Sequence, residues 1–147
     1  MELNLPYDSA TENCILGTII ENPTEYNNVG KYIINNQVFY QDRARRLWYK
    51  IGQMIKSKEH IDMISVCSSL NATDTKIGLT SYYVTECTSN STSPGSLTFY
   101  ANQIYEKYLL RKVIVQTEKI KDKAKNNYND VYDSIEKAHS IFGELLD

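Results

Sequence analysis

The chain has 147 residues, 16 basic and 18 acidic side chains, a net charge of −2 and an apolar fraction of 41%. That length suffices for one core removing roughly two-thirds of the unfolded surface from water, and the composition excludes disordered and fibrous classes. The slight acidity argues against a domain whose main task is coating a phosphate backbone, which leaves a basic excess.

The start, MELNLPYDSATE, has no basic stretch followed by an apolar one, and no run approaches the roughly 18 apolar residues of a membrane span. Cys14, Cys67 and Cys87 are odd in number, far apart and without a C-x-x-C pair, which suits a reducing compartment. The expected location is therefore cytoplasmic, and the glycosylation sequons at Asn71 and Asn90 are chance matches.

In chain order, Ser9 with Glu12 has capping-box spacing ahead of Cys14-Ile15-Leu16 and Ile19-Ile20, predicting a first helix over 9–21. Asn22-Pro23 stops it and opens a second helix with Tyr26, Val29 and Ile33 on one face. A third helix over 42–57 gathers Ala44, Leu47, Trp48, Ile51, Met54 and Ile55 into an apolar stripe, leaving Arg43, Arg45, Arg46, Lys50 and Lys56 outside it. Asp62 caps a short fourth helix with Val66, Cys67 and Leu70. NATDTKIG then reads as a turn, and Leu79, Tyr82, Tyr83 and Cys87 place a fifth helix. The polar run TSNSTSPGS is the expected boundary between a helical head (1–95) and a second structural part (96–147).

From Ser96 to about Asn126 the chain has no Pro or Gly, the mark of one long helix. Its second half carries Leu110, Val113, Thr117, Ile120 and Ala124 at heptad-like spacing. A last helix from about Asp130 repeats the device with Val131, Ile135, Ala138, Phe142 and Leu145. Two such seams joined through the short Asn126–Asn129 connection predict an antiparallel hairpin (96–147) packed by knobs into holes. The expected fold is all-α, a head of about five short helices followed by this hairpin. Leu109, Ile114, Tyr128, Tyr132 and Ile141 fall off the seam. With His139 they form the expected subunit or partner interface.

Chemistry is sparse. A phosphate-binding loop needs glycines followed by lysine and a hydroxyl, but the chain's sole Gly-Lys pair, Gly30-Lys31, is followed by Tyr32. His60 and His139 are the only imidazoles, and neither sits in a nucleophile elbow. His60 and Asp62 together fall short of the three or four ligands, about, that a metal needs. The expectation is no catalytic residue, no metal and no cofactor. Arg43, Arg46 and Lys50 could contact phosphates, although a solvated face opposite a core stripe accounts for them as well. The twelve tyrosines could stack bases, but Tyr82, Tyr83, Tyr100 and Tyr108 recur at helical spacing and read as core or interface residues.

Four blocks resemble the N-terminal domain of DnaB-type replicative DNA helicases. PYDSATENCILG (6–17) looks like that family's proline, polar stretch, Glu and Leu-Gly. VFYQDRARRLWYKI (38–51) is similar to its Phe-Tyr followed by an Arg-rich helix start, and Ile61 to Leu70 to its Val-Asp-x-x-Thr-Leu segment. FYANQIYEKYLLRKVI (99–114) resembles its Tyr-Ala-x-x-Ile stretch with Lys and Arg. Departures are Ala10 in place of an acidic residue, Ser65 in place of Thr, and one glycine at Ile77-Gly78-Leu79 in place of two.

The resemblance implies a non-catalytic module whose hairpins pair between subunits into a ring collar that receives primase and, in some members, a loader. It also implies a motor domain beyond Asp147 that would bind ATP, Mg and most of the DNA. The alternatives are a primase's helicase-binding domain, which resembles this module in fold, and a stand-alone helical nucleic-acid binder.

Overall fold

In the computed structural model, residues 4–126 and 130–145 are described, and every regular element among them is helical. The helices are α1 (Ser9–Glu21), α2 (Asp42–Lys56), α3 (Met63–Ser68), α4 (Ala72–Lys76), α5 (Ser81–Ser89), α6 (Leu97–Asn126) and α7 (Val131–Glu144). Short 3-10 stretches cover Pro23–Val29, Asn36–Val38 and Pro94–Ser96. Packing divides the chain into two compact units, residues 7–106 and the described parts of 1–6 and 107–147. No described helix is long and apolar enough to cross a membrane.

In the first unit α1 is the central helix. It buries residues on nearly every side, including Ile15, Leu16, Ile19 and Ile20, against α5, α2 and the Pro23–Val29 turn. The predicted apolar stripe of α2 is present, with Ala44, Leu47, Trp48, Ile51 and Met54 buried. Leu97, Ala101 and Ile104 of α6 are buried too, so this unit extends past the Pro94-Gly95 loop to Glu106. The polar loop is itself anchored: Thr92 N donates to Thr18 Oγ1 (2.9 Å) and Ser91 Oγ to the Glu21 carboxylate (2.7 Å).

Several local expectations are corrected. Asp8, not Ser9, caps α1: its carboxylate accepts from Thr11 N at 3.0 Å and from Thr11 Oγ1 at 2.8 Å. Glu12 is turned into the core, where it accepts from Tyr40 N (2.8 Å), Gln41 N (3.3 Å) and Gln41 Nε2 (3.2 Å). A carboxylate from α1 thus satisfies donors at the start of α2, where its charge also faces the positive end of the helix dipole. The predicted second helix is a 3-10 stretch that ends before the buried Ile33. The tract read as a turn contains α4, because Asn71 and Asp74, residue types shared by turns and caps, form a reciprocal capping box.

Glu12 is 1% exposed, so the donors it serves have no ready alternative in water. Glu12→Ala is expected to destabilise by about 2 kcal/mol, with Glu12→Gln losing less because one amide oxygen still accepts. Urea unfolding followed by circular dichroism measures both. A midpoint unchanged in Glu12→Ala would refute the tertiary cap.

Candidate docking surface

Charged side chains in the first unit are largely committed to holding it together. Asp74 has no exposed side-chain surface and pairs with Arg46 Nε at 2.7 Å and Lys50 Nζ at 2.8 Å. Lys50 also donates to the Ser69 carbonyl at 2.9 Å. The Arg43 guanidinium lies 4.0 Å from the Tyr83 ring centroid and donates to Gln41 Oε1. Arg46 and Lys50 thus share the Asp74 carboxylate while Arg43 is set against Tyr83, and together they tie α2 to α4, α5 and the α3–α4 connection. Tyr83 OH donates to Asn13 Oδ1 (2.7 Å), completing a buried link between α5 and α1.

Titratable groups in this unit serve structure. Burial pushes the Cys87 thiol up to about 12, despite the lowering effects of Tyr83 and Arg43, so it is protonated and inert at neutral pH. His60 Nε2 lies 2.8 Å from Asp62, whose other oxygen accepts from Ser65 N to cap α3. Among the described residues no group of three or more His, Cys, Asp or Glu could hold a metal ion.

The second unit offers a different surface. Arg111 of α6 is buried and donates to the Pro6 carbonyl at 3.1 Å, tying the chain's start to the long helix. Asp130 caps α7 by accepting from Asp133 N at 2.9 Å, and Asp133 pairs with Lys137 at 2.8 Å, holding that ammonium above its ordinary value. Ile120 and Ala124 of α6 and Val131, Ile135, Ala138 and Ile141 of α7 line one open cleft of about 620 Å³. The two helices face one another as a hairpin.

The interlocked seam expected there is corrected to an open cleft. Ala124 of α6 and Ser134 and Ala138 of α7, all small, line this space and cannot fill it. Ile141, expected off the seam, lines the cleft. Val131 and Ile135, expected inside it, are each 60% exposed, and Phe142 is 40% exposed. On α6, Leu110 and Val113 are exposed while Leu109 and Ile114 are half-buried. Tyr132 is 82% exposed and His139 is exposed; Tyr128 lies outside the described residues.

Val131, Ile135, Ala138 and Phe142, spaced four, three and four, form one stripe along α7. Heptad spacing alone assigns these residues to an intramolecular contact. Helix length is the overlooked signal: at 1.5 Å per residue the 14 residues of α7 cannot cover α6 as far back as Leu110.

The architecture, a helical head with a long-helix hairpin, is the class of fold found at the N-terminus of replicative DNA helicases. A family profile described as DnaB-like helicase N terminal domain matches residues 4–106, and the chain belongs to that family. The N-terminal domain of DnaB helicase from Mycobacterium tuberculosis superposes with a TM-score of 0.83 at 19% identity, over 96% of this chain and 99% of that one. A DnaB-like replicative helicase, described together with its interactions with primase, superposes with a TM-score of 0.72 at 16% identity, over 94% of this chain and 31% of that one. No significant match was found among curated proteins.

Proposed function

We propose that this domain is a non-catalytic assembly module, whose hairpin pairs with another subunit to build the collar of a helicase ring. The observation that carries it is the apolar surface of the second unit: Leu110, Val113, Val131, Tyr132, Ile135 and Phe142 are each at least 40% exposed. A domain that worked alone would leave that area in water at a cost in solubility and stability. The collar would be a platform for primase, in keeping with the similar helicase described with its interactions with primase, and for a loader. ATP, Mg and most DNA contacts would belong to a motor domain; in this domain Arg46 and Lys50, engaged by Asp74, are not available to a phosphate backbone.

Ile135→Arg is expected to lower the self-association of the chain at least tenfold while leaving its helicity unchanged, since a charge placed on a buried apolar contact is not repaid. Light scattering over micromolar to tens-of-micromolar concentrations reads this. A folded wild-type chain that stays monomeric over the whole range would overturn the reading.

A further inference from the structure

The first unit carries a groove whose polar groups are left uncommitted. Pro23 opens the 3-10 stretch that holds Tyr26, and the Tyr26 ring stacks on Trp48 of α2 with centroids 4.5 Å apart. Gly52, one turn further along α2, makes room for the Tyr26 hydroxyl, since a Cβ there would stand 2.6 Å from its oxygen. With Ile34, Asn36, Tyr49 and Gln53 these residues line a space of about 320 Å³, and no described charged side chain lines it. Trp48 is 4% exposed, and an indole N–H so nearly buried ordinarily finds a partner. Here neither that N–H, nor the Tyr26 hydroxyl, nor the side-chain amides of Asn36 and Gln53 hydrogen-bond to a described residue. No described buried side-chain nitrogen or oxygen is sealed off without a partner, so the indole N–H keeps a path to solvent, and Trp48 lines this groove.

We propose that this groove binds a short proline-containing segment of another protein in the polyproline II conformation. Complementarity of charge and of hydrogen bonding selects that occupant. A polyproline II strand has no internal hydrogen bonds, so its carbonyls are free to accept, and its prolines bring no N–H that needs an acceptor. The groove answers with donors, an indole N–H, a hydroxyl and two amides, set among aromatic rings against which proline rings pack. The strand is preformed, which keeps the cost of ordering it low enough for a small contact to hold it. A nucleic-acid strand would stack on the same rings, but its phosphates would meet no lysine or arginine in the lining. Arg46, 5.5 Å from the Tyr49 ring centroid, is already held by Asp74.

Trp48 is the chain's only tryptophan, so its fluorescence reads the groove directly. The probe is a displayed library of Pro-x-x-Pro peptides selected on the whole chain, the enriched peptides then being titrated against Trp48 emission. A saturable change in emission is expected, and replacing both prolines of a peptide by alanine should abolish it on the wild-type chain, where folding is not in question. Tyr49→Ala is expected to weaken binding about tenfold, and Tyr26→Phe, which removes one oxygen, about fivefold. Both should keep wild-type helicity, and Tyr82→Ala, an exposed tyrosine of α5 outside the lining, should bind as wild type. A selection that enriches no peptide overturns the proposal, as do enriched peptides that leave Trp48 emission unchanged, tolerate loss of their prolines or bind Tyr49→Ala as tightly. Oligothymidylate that changes Trp48 emission where no peptide does would assign the groove to single strands instead.

Discussion

Gly17→Ala is expected to be among the most damaging single changes in the chain, costing about 3 kcal/mol or more. The same substitution in an open helix interior gains about 0.5–1 kcal/mol, because alanine has less backbone entropy to lose on folding. Here α1 lies so close to α5 that a Cβ would overlap the Cys87 carbonyl and stand 2.9 Å from Thr88 N. These are backbone atoms of a neighbouring helix, so no rotamer change relieves the overlap. The helices must separate, and the core of Ile15, Leu16, Ile19, Tyr83 and Val84 loosens with them. Gly143→Ala is the matched control, since nothing lies within 4 Å of its Cβ position. Thermal unfolding of both variants measures the contrast; a Gly17→Ala chain melting at or above wild type would show that the two helices do not touch as described.

Asp74→Ala is expected to cost about 4 kcal/mol, the scale of breaking a buried charge cluster by removing one partner. The carboxylate caps α4, accepts from Asn71 N at 3.0 Å and neutralises Arg46 and Lys50 together. Its loss leaves Lys50, which is little exposed, without a counter-charge. Asp74→Asn keeps the volume and one acceptor and is expected to cost about half as much. The same group makes stability depend on acid. Burial works to raise its pKa, but hydrogen bonds from Lys50 and Arg46, that from Asn71 N, and the Lys50 charge outweigh it and hold the group at about 2, against an ordinary 3.8. A lowered folded-state pKa gives stability that is complete above about pH 4 and is lost as pH falls toward 2, in total about 2 kcal/mol. Urea midpoints between pH 6 and pH 2 should fall for wild type, and Asp74→Asn should lack that part of the fall. Parallel curves for the two would remove Asp74 as the cause.

Much of the helical layout was legible in the residues. The stripe of α2, the extent of α1, the proline- and glycine-free length of α6 and the Asp130 start of α7 all follow from periodicity and caps, which act within a few residues. The failures at Glu12, Arg46 and Lys50 share one cause, partners distant in sequence. Glu12 has the right spacing for a local capping box, yet its acceptors serve Tyr40 and Gln41, 28 and 29 residues away. Asn71 and Asp74 have the composition of a turn but cap each other reciprocally to start one turn of helix, and the Asp74 carboxylate is buried against Arg46 and Lys50 of α2. Arg46 and Lys50 read equally as phosphate contacts or as a solvated face, and a buried carboxylate on another helix claims both.

By itself, then, the sequence determined that the chain is helical, where most helices begin and end, and, through four blocks of motif, which family it resembles. Local propensity and the 3.6-residue period suffice for that because both are properties of neighbouring residues. Tertiary structure alone decided which polar side chains are spent inside the head and which apolar ones remain outside on the hairpin. Heptad spacing shows that Val131, Ile135 and Phe142 share a face; the small residues at Ala124, Ser134 and Ala138 leave an open cleft between the hairpin helices, and the exposure of that face is the ground on which the hairpin is proposed as a docking surface.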